Sequence, residues 1–449
     1  MEQLRQHLAT LANKIQQLVN IERPQPQREL YFQYDWEKFE YSKNGIDLGQ
    51  GRGRQFDKLN WFKAHHTIKQ KLLNTTSYGE ASKIVSPFSS DTFDAQYTLK
   101  KFVDKVIEAN LPTGSSTIDH TVKELIDRCI HQLQGQTVNA HASMYLIGIT
   151  LESDSIHLDR YCTLRRTTPN DISIPTPVFP TIPISNHPFP TAVLDIKMVI
   201  QEHEQINLYQ DIERSIDILK LFGVGGTTIK STTVTTDSLI SNIPHETHHT
   251  SGAILLMAET FYLDKSKEEK LKAFFPYMKK HMPDLSGQNR KTNRLTVSFD
   301  RYTEACMEFR IFERKVMTAI MGLEALYSKD NAELAHKLSM RCAKSMSFCG
   351  LAPLEVLKTV KVGYNIRSKF AHGDPINNKD LNKYTTEFSD HREIAVLLCN
   401  YLRISICAYT ILKLDKDSFL DSLDYAMLTM TDNQKLHDQF SPLQQYLAL

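Results

Sequence analysis

The run Tyr364-Asn365-Ile366-Arg367-Ser368-Lys369-Phe370-Ala371-His372-Gly373-Asp374-Pro375 ends a helix, and that reading decides how the last third of the chain is built. Glycine is favoured just past a helix end and proline cannot continue the hydrogen-bond ladder, so His372 is expected in the last turn. Pro353 suits the opening turn of the same helix, where its missing N–H costs little. Upstream, Phe309, Phe312, Val316, Ile320, Leu323 and Leu326 recur at steps of three and four, as on one face of a helix. Further helices are expected at 332–348, 391–414 and about 417–430. Four or five helices on short connections over 301–435 predict an antiparallel all-α bundle.

The texture changes towards the N-terminus. Met144–Leu151 and Ile156–Leu164 run apolar or alternating around Glu152-Ser153-Asp154, which predicts a hairpin. Val193–Ile200, Thr227–Thr235 and Ala253–Leu263 add β-rich runs, interrupted by a helix at about 207–222. Leu295–Tyr302 reads as the end of this β-rich segment. Seven of the 17 prolines fall between Pro169 and Pro190, which predicts an extended loop. Residues 140–300 therefore read as a mixed α/β domain, a candidate sensor or regulator.

Residues 1–135 read as mainly helical. Leu4, Leu8, Leu11, Ile15 and Leu18 form a narrow stripe stopped by Pro24, and so short a stripe more often covers its own domain than a dimer partner. Helices are also expected at 57–74, 97–110 and 117–134. Trp36 and Trp61, with Tyr31, Phe32, Tyr34, Phe39 and Tyr41, could stack bases, but such aromatics are more often core. Gly49–Arg54 lacks the strand–turn–helix setting of a phosphate loop and reads as a mobile basic loop. The expected class is α+β multidomain, with a mixed α/β N-terminal and middle region before the helical bundle.

Apolar content of 41% and charged content of 23% are those of a globular protein. A net charge of +1 excludes a global basic field, so any polyanion site must come from local clustering. Such a cluster exists. Lys337, Arg341, Lys344, Lys358, Lys361, Arg367 and Lys369 are opposed only by Glu355. Seven dispersed cysteines without a C-x-x-C pair argue against a disulfide framework or structural zinc and suit a reducing cytosol. The N-terminus has no signal-peptide core, and the membrane-like stretch Ala395–Leu414 carries Asn400, Arg403 and Lys413. A buried bundle helix, a cytoplasmic protein and no membrane are expected.

Two local motifs carry metal or phosphate chemistry on paper. His245-Glu246-Thr247-His248-His249 matches H-E-x-x-H, which would make His245 and His249 zinc ligands and Glu246 a general base. Pro244 before it and Gly252 after it oppose the helix this chemistry needs. Leu255 stands where a third histidine would, leaving Glu268 or Glu269 as distant substitutes. Gly223–Gly226 with Lys230-Ser231 fails the Walker A spacing and reads as a turn ending a helix. No G-x-S-x-G elbow is present.

Arg367 and His372 are five residues apart, about 7.5 Å of rise and about 140° of rotation on an ideal helix. They share no strict face, although arginine's reach allows both to act on one phosphate. Alone, the spacing fits equally a solvated face with a capping histidine.

Arg367–His372 followed by Gly373 resembles the R-x4-6-H motif of HEPN domains. Met321-Gly322-Leu323-Glu324-Ala325-Leu326-Tyr327, Leu338-Ser339-Met340-Arg341-Cys342-Ala343 and Tyr364–Lys369 are similar to the Apea-like branch, over about 301–430. The resemblance implies a bundle that homodimerises and cuts RNA without metal or cofactor, often as the toxic effector of antiphage, abortive-infection defence. Arg367 and His372 carry over as catalytic. Glu324, Arg341, Ser368, Lys369 and Tyr364 are expected to support them, and Lys337, Lys344, Lys358 and Lys361 to meet RNA. One departure is Ser368, where catalytic motifs commonly have Asn, Asp or His. The alternatives are a non-catalytic HEPN-like module binding RNA or protein, and a zinc hydrolase. A phage-derived trigger acting through residues 1–300 is a further expected partner.

Overall fold

A computed structural model of the chain describes residues 1–22, 24–90, 94–111, 122–135, 137–172, 176–177, 189–201, 205–236, 260–286, 290–308, 310–329, 333–374, 376, 391–412 and 415–447. Most of their buried apolar side chains form two clusters, one within residues 4–133 and one spanning 140–447.

The first cluster is helical. Helix α1 (Glu2–Glu22) buries Leu4, Leu8, Leu11 and Ile15, with Ala12 and Val19. It packs on α2 (Phe62–Leu73), α3 (Thr76–Val85), α4 (Ala95–Asn110) and α5 (Val122–Leu133). The N-terminal stripe thus covers its own domain. Between α1 and α2 lies a hairpin that the sequence pattern conceals. Strands β1 (Gln27–Trp36) and β4 (Gly51–Asn60) pair antiparallel along their whole length, with the small hairpin β2 (Glu40–Ser42) and β3 (Gly45–Asp47) at its end. Two expectations are corrected here. Residues 51–54 are strand, not mobile loop, and the helix expected from 57 starts at Phe62. In both cases ten ladder partners on β1 outweigh local glycine and helix-forming character.

The middle region is a five-stranded sheet of order β11-β5-β10-β8-β7. Its strands are β5 (Thr137–Ile147), β7 (Ser155–His157), β8 (Cys162–Arg166), β10 (Ala192–Gln201) and β11 (Thr228–Thr236), every neighbour antiparallel. The two-residue β9 (Thr176–Pro177) joins β1 instead. The hairpin expected around residues 152–154 is not formed. β6 (Ile149–Leu151) pairs parallel with β12 (Phe261–Leu263), and β7 turns back on β8 one step later. Gly148 at φ +82° breaks the strand just before β6, diverting the chain to a different partner.

Alternation divides the sheet into faces. Ala140, Ala142, Met144, Leu146, Leu194, Ile196 and Leu164 are buried. The other face carries a polar network. Asp195 accepts from Ser143 Oγ at 2.5 Å and from Arg165 Nε at 2.7 Å, with His141 Nε2 at 3.2 Å. Arg165 also clamps Asp171, in the short α6 (Pro169–Ile172), through both terminal nitrogens.

Helix α7 (Gln205–Phe222) links the sheet to the C-terminal helices. Its last carbonyls have no intrahelical donors, and buried side chains supply them. Arg403 Nη1 donates to Leu221 and Phe222 O at 2.9 and 2.7 Å, and Tyr302 Oη donates to Lys220 O at 2.8 Å. Arg403 is 0% exposed, with Asn400 Oδ1 also accepting from it. This charge belongs to the one described helix long and apolar enough to cross a membrane, Arg392–Leu412, 72% of whose apolar window is buried inside the protein.

The remaining elements are α8 (Lys265–His281), α9 (Arg294–Met307), α10 (Phe312–Tyr327), α11 (Leu334–Phe348), α12 (Pro353–His372), α13 (His391–Leu412), α14 (Lys416–Leu428) and α15 (Met430–Tyr446). Apolar α13 lies against α9, α10, α11 and α12. Leu295–Tyr302, expected to be strand, is helix. Asn293 and Thr296 form a reciprocal capping box, which outweighs the β-branched and aromatic composition. At Gly363, an added Cβ would sit 2.6 Å from Leu398 Cδ1 and 3.0 Å from Ile320 Cδ1, so the missing side chain lets α12 approach α13 and α10.

Candidate functional site

The end of α12 is built as its sequence demands. Gly373 adopts φ +75°, the left-handed conformation that glycine tolerates best. Its N–H donates to Phe370 O at 3.2 Å, and the Asp374 N–H donates to Lys369 O at 2.9 Å. This double bond pattern is the Schellman stop, with His372 as the residue immediately inside it. His372 is exposed, and no hydrogen bond to its ring is present among the described residues.

Lys358, Lys361, Asn365 and His372 are all exposed and follow at steps of three, four and seven, so they make one outward stripe of α12. Ser368 and Lys369 flank it, half-buried. Arg367 lies about 140° round the helix from His372. Its Nη2 is 3.4 Å from Glu324 Oε2 on α10, and its guanidinium stands 5.8 Å from the half-buried Tyr364 ring. No hydrogen bond joins Arg367 to His372 among the described residues. One chain therefore sets the two residues on different sides of α12.

Glu324 is held on one side only, by the long contact to Arg367. Its Oε1 is buried with no hydrogen-bond partner. Burial pushes its carboxyl above the usual range, and the attraction of Arg367 only partly offsets this. A carboxyl in that state is a weak clamp. It can release the guanidinium to a stronger anion such as a phosphate, which offers a planar fork two acceptors at once.

Arg341 has a different task. It is 7% exposed, and its Nε and Nη2 donate to both oxygens of Asp424 at 2.8 and 2.6 Å, while Nη1 donates to Tyr327 O at 3.0 Å. It binds α11 to α14 and satisfies a carbonyl at the end of α10. Lys344 is likewise engaged. Its Nζ donates to Asn433 Oδ1 at 2.5 Å and lies 5.0 Å from the Phe348 ring centre, and burial lowers its pKa. Lys337 is half-buried. The charge cluster seen in sequence thus divides, with Lys358 and Lys361 facing outwards on the same stripe as His372 but about three to four turns earlier, and Arg341 and Lys344 committed within the bundle.

His245, Glu246 and His249 lie outside the described residues. Glu268 is 4% exposed and accepts from the Ser153 N–H and hydroxyl at 2.8 and 2.6 Å, and Glu269 is paired with Lys272. Among the described residues no group of three His, Cys, Asp or Glu side chains is placed to hold a metal ion. All seven cysteines are buried and none is in a disulfide.

Comparison of the chain with family models, curated proteins and solved structures finds no match.

Proposed function

We propose that the protein is a HEPN-type endoribonuclease whose site is completed by a second copy of the chain. The observation that supports this best is the exposed His372 at the stopped end of α12, on one stripe with Lys358 and Lys361. RNA carries its own nucleophile. A base takes the 2′-hydroxyl proton, the 2′-oxygen bonds to phosphorus, and the P–O5′ bond breaks as an acid protonates the departing 5′-oxygen. The products are a 2′,3′-cyclic phosphate and a 5′-hydroxyl, with no metal required. His372 supplies base and acid, and Arg367 stabilises the charge that builds on the phosphorane oxygens.

Because one chain turns Arg367 towards Glu324, the arginine and histidine acting on one phosphate come from a C2 pair of α12 helices. Arg367→Ala and His372→Ala proteins, each inactive alone, then recover part of the activity on mixing, since the mixed dimer keeps one of each group. Without recovery, the composite site fails. Such activity in the cytoplasm is harmful to the cell that makes it, which fits an abortive-infection effector restrained by residues 1–300 until a phage-derived trigger arrives. Overexpression of the His372→Ala protein should then leave growth intact.

The Arg367–Glu324 pair also favours a second reading, a non-catalytic module in which the arginine only braces α12 on α10. That reading predicts RNA binding without turnover.

A further inference from the structure

A cleft of about 400 Å³ opens between α2 and α4, away from the α12 site, lined by Trp61, Phe62, His65, His66, Lys101 and Lys105 among others. Phe62 is 75% exposed, an uncommon position for so large an apolar ring. It stacks on His66 with ring centres 6.3 Å apart and planes 12° from parallel. The carboxylates here are already used. Asp104 binds Lys69 at 2.5 Å and stands 3.5 Å from His65 Nε2, and Glu108 binds Lys105 at 2.6 Å. Lys101 has no carboxylate partner among the described residues, and its Nζ lies 5.3 Å from the centre of the half-exposed Tyr97 ring.

The charge left over here is positive. Lys69 and Lys71 of α2 are paired with Asp104 and Glu22, whereas Lys63, next to Phe62 on α2 and exposed, has like Lys101 no carboxylate partner among the described residues. Exposed rings beside uncompensated ammonium groups are what an unpaired nucleic-acid strand needs, since every base offers a π-face and every linkage a negative charge.

We infer that this cleft binds single-stranded RNA, with an unpaired base on Phe62 and the adjoining phosphate beside Lys101. The choice of RNA over other polyanions rests on the ribonuclease reading, whereas the binding itself does not require cleavage. The N-terminal domain then anchors the strand that the α12 site acts on.

The test uses full-length His372→Ala protein, a labelled 12-nucleotide single-stranded RNA of mixed sequence, and fluorescence anisotropy. Phe62→Ala should weaken binding about tenfold, the loss of one stacked base, and Phe62→Trp should retain it. Lys101→Glu should weaken binding and flatten its salt dependence. Both positions are solvent-accessible, and unchanged thermal unfolding verifies that the variants fold. Unchanged affinity in Phe62→Ala and Lys101→Glu would overturn the inference, as would equal affinity for a polyglutamate peptide. Cleavage by the wild-type protein is read separately. A protein that binds through Phe62 but never cuts overturns only the ribonuclease reading, and one that cuts without using Phe62 overturns only this inference.

Discussion

Glu324 offers Arg367 one carboxylate oxygen at 3.4 Å and keeps the other buried without a partner. Burial raises the carboxyl's pKa more than the arginine lowers it. A raised folded-state value means that the fold prefers the protonated form. That preference contributes fully below the ordinary carboxylate range and is lost as pH rises through the raised value. Glu324→Gln should therefore unfold at or above the wild-type temperature at pH 8, with the gap closing at acid pH. A gap that widens towards acid would contradict this. The same variant leaves Arg367 without a competing carboxylate, so RNA affinity should not fall.

Arg341 holds Asp424 through two nitrogens and the Tyr327 carbonyl through a third. Removing it strands a half-exposed carboxylate and a buried carbonyl, at a cost of about 2–3 kcal/mol. Urea denaturation of Arg341→Ala should show that loss, and Arg341→Lys should recover little of it, because an ammonium cannot bridge in a planar fork. Any fall in RNA cleavage by Arg341→Ala should track the unfolded fraction. A folded but inactive Arg341→Ala protein would assign the residue to the site instead.

At Gly363 a methyl group would press on Leu398 and Ile320, both fully buried. Overpacking costs about 1–3 kcal/mol, and the better helix propensity of alanine returns about 1. Gly363→Ala is expected to lose about 1–2 kcal/mol in chemical denaturation, and an increase in stability would show that α12 has room to move.

Two carboxylates should give opposite pH signatures. Burial opposes ionisation at Asp195 but is outweighed by hydrogen bonds from His141, Ser143 and Arg165, which hold it at about 2. Its contribution is present above the ordinary value and lost as pH falls towards 2. Asp217 is 2% exposed, and burial raises it to about 6 despite Lys220 and the Ser286 hydroxyl. Its contribution is complete in acid and lost as pH rises through about 6. Asp217→Asn should accordingly flatten the decline in melting temperature between pH 5 and 7, and Asp195→Asn should cost stability at neutral pH. Identical pH profiles for the wild type and Asp217→Asn would refute the first assignment.

The C-terminal helices were legible because a period of three to four residues, Pro353 and Gly373 are local signals, and local signals decide where helices start and stop. The β1–β4 hairpin was not, because its stability lies in cross-strand pairing from Gln27↔Asn60 to Trp36↔Gly51, which local patterning does not expose. Leu295–Tyr302 misled through its composition, although the Asn293–Thr296 capping box was there to be read. In the site, the spacing of Arg367 and His372 already implied different faces of α12. What spacing could not reveal was the partner of each cation. Glu324 lies 43 residues from Arg367 and Asp424 lies 83 from Arg341, contacts that only the packed bundle creates.

The proposed reaction is the cutting of RNA by Arg367 and His372 without a metal. Its most direct measurement incubates tRNA or total RNA with wild-type and His372→Ala protein, with and without EDTA, and examines the ends produced. Wild-type protein should leave 2′,3′-cyclic phosphate ends in both conditions and spare the matching DNA, and His372→Ala should cut neither. Cleavage abolished by EDTA, or retained in full by His372→Ala, would contradict it.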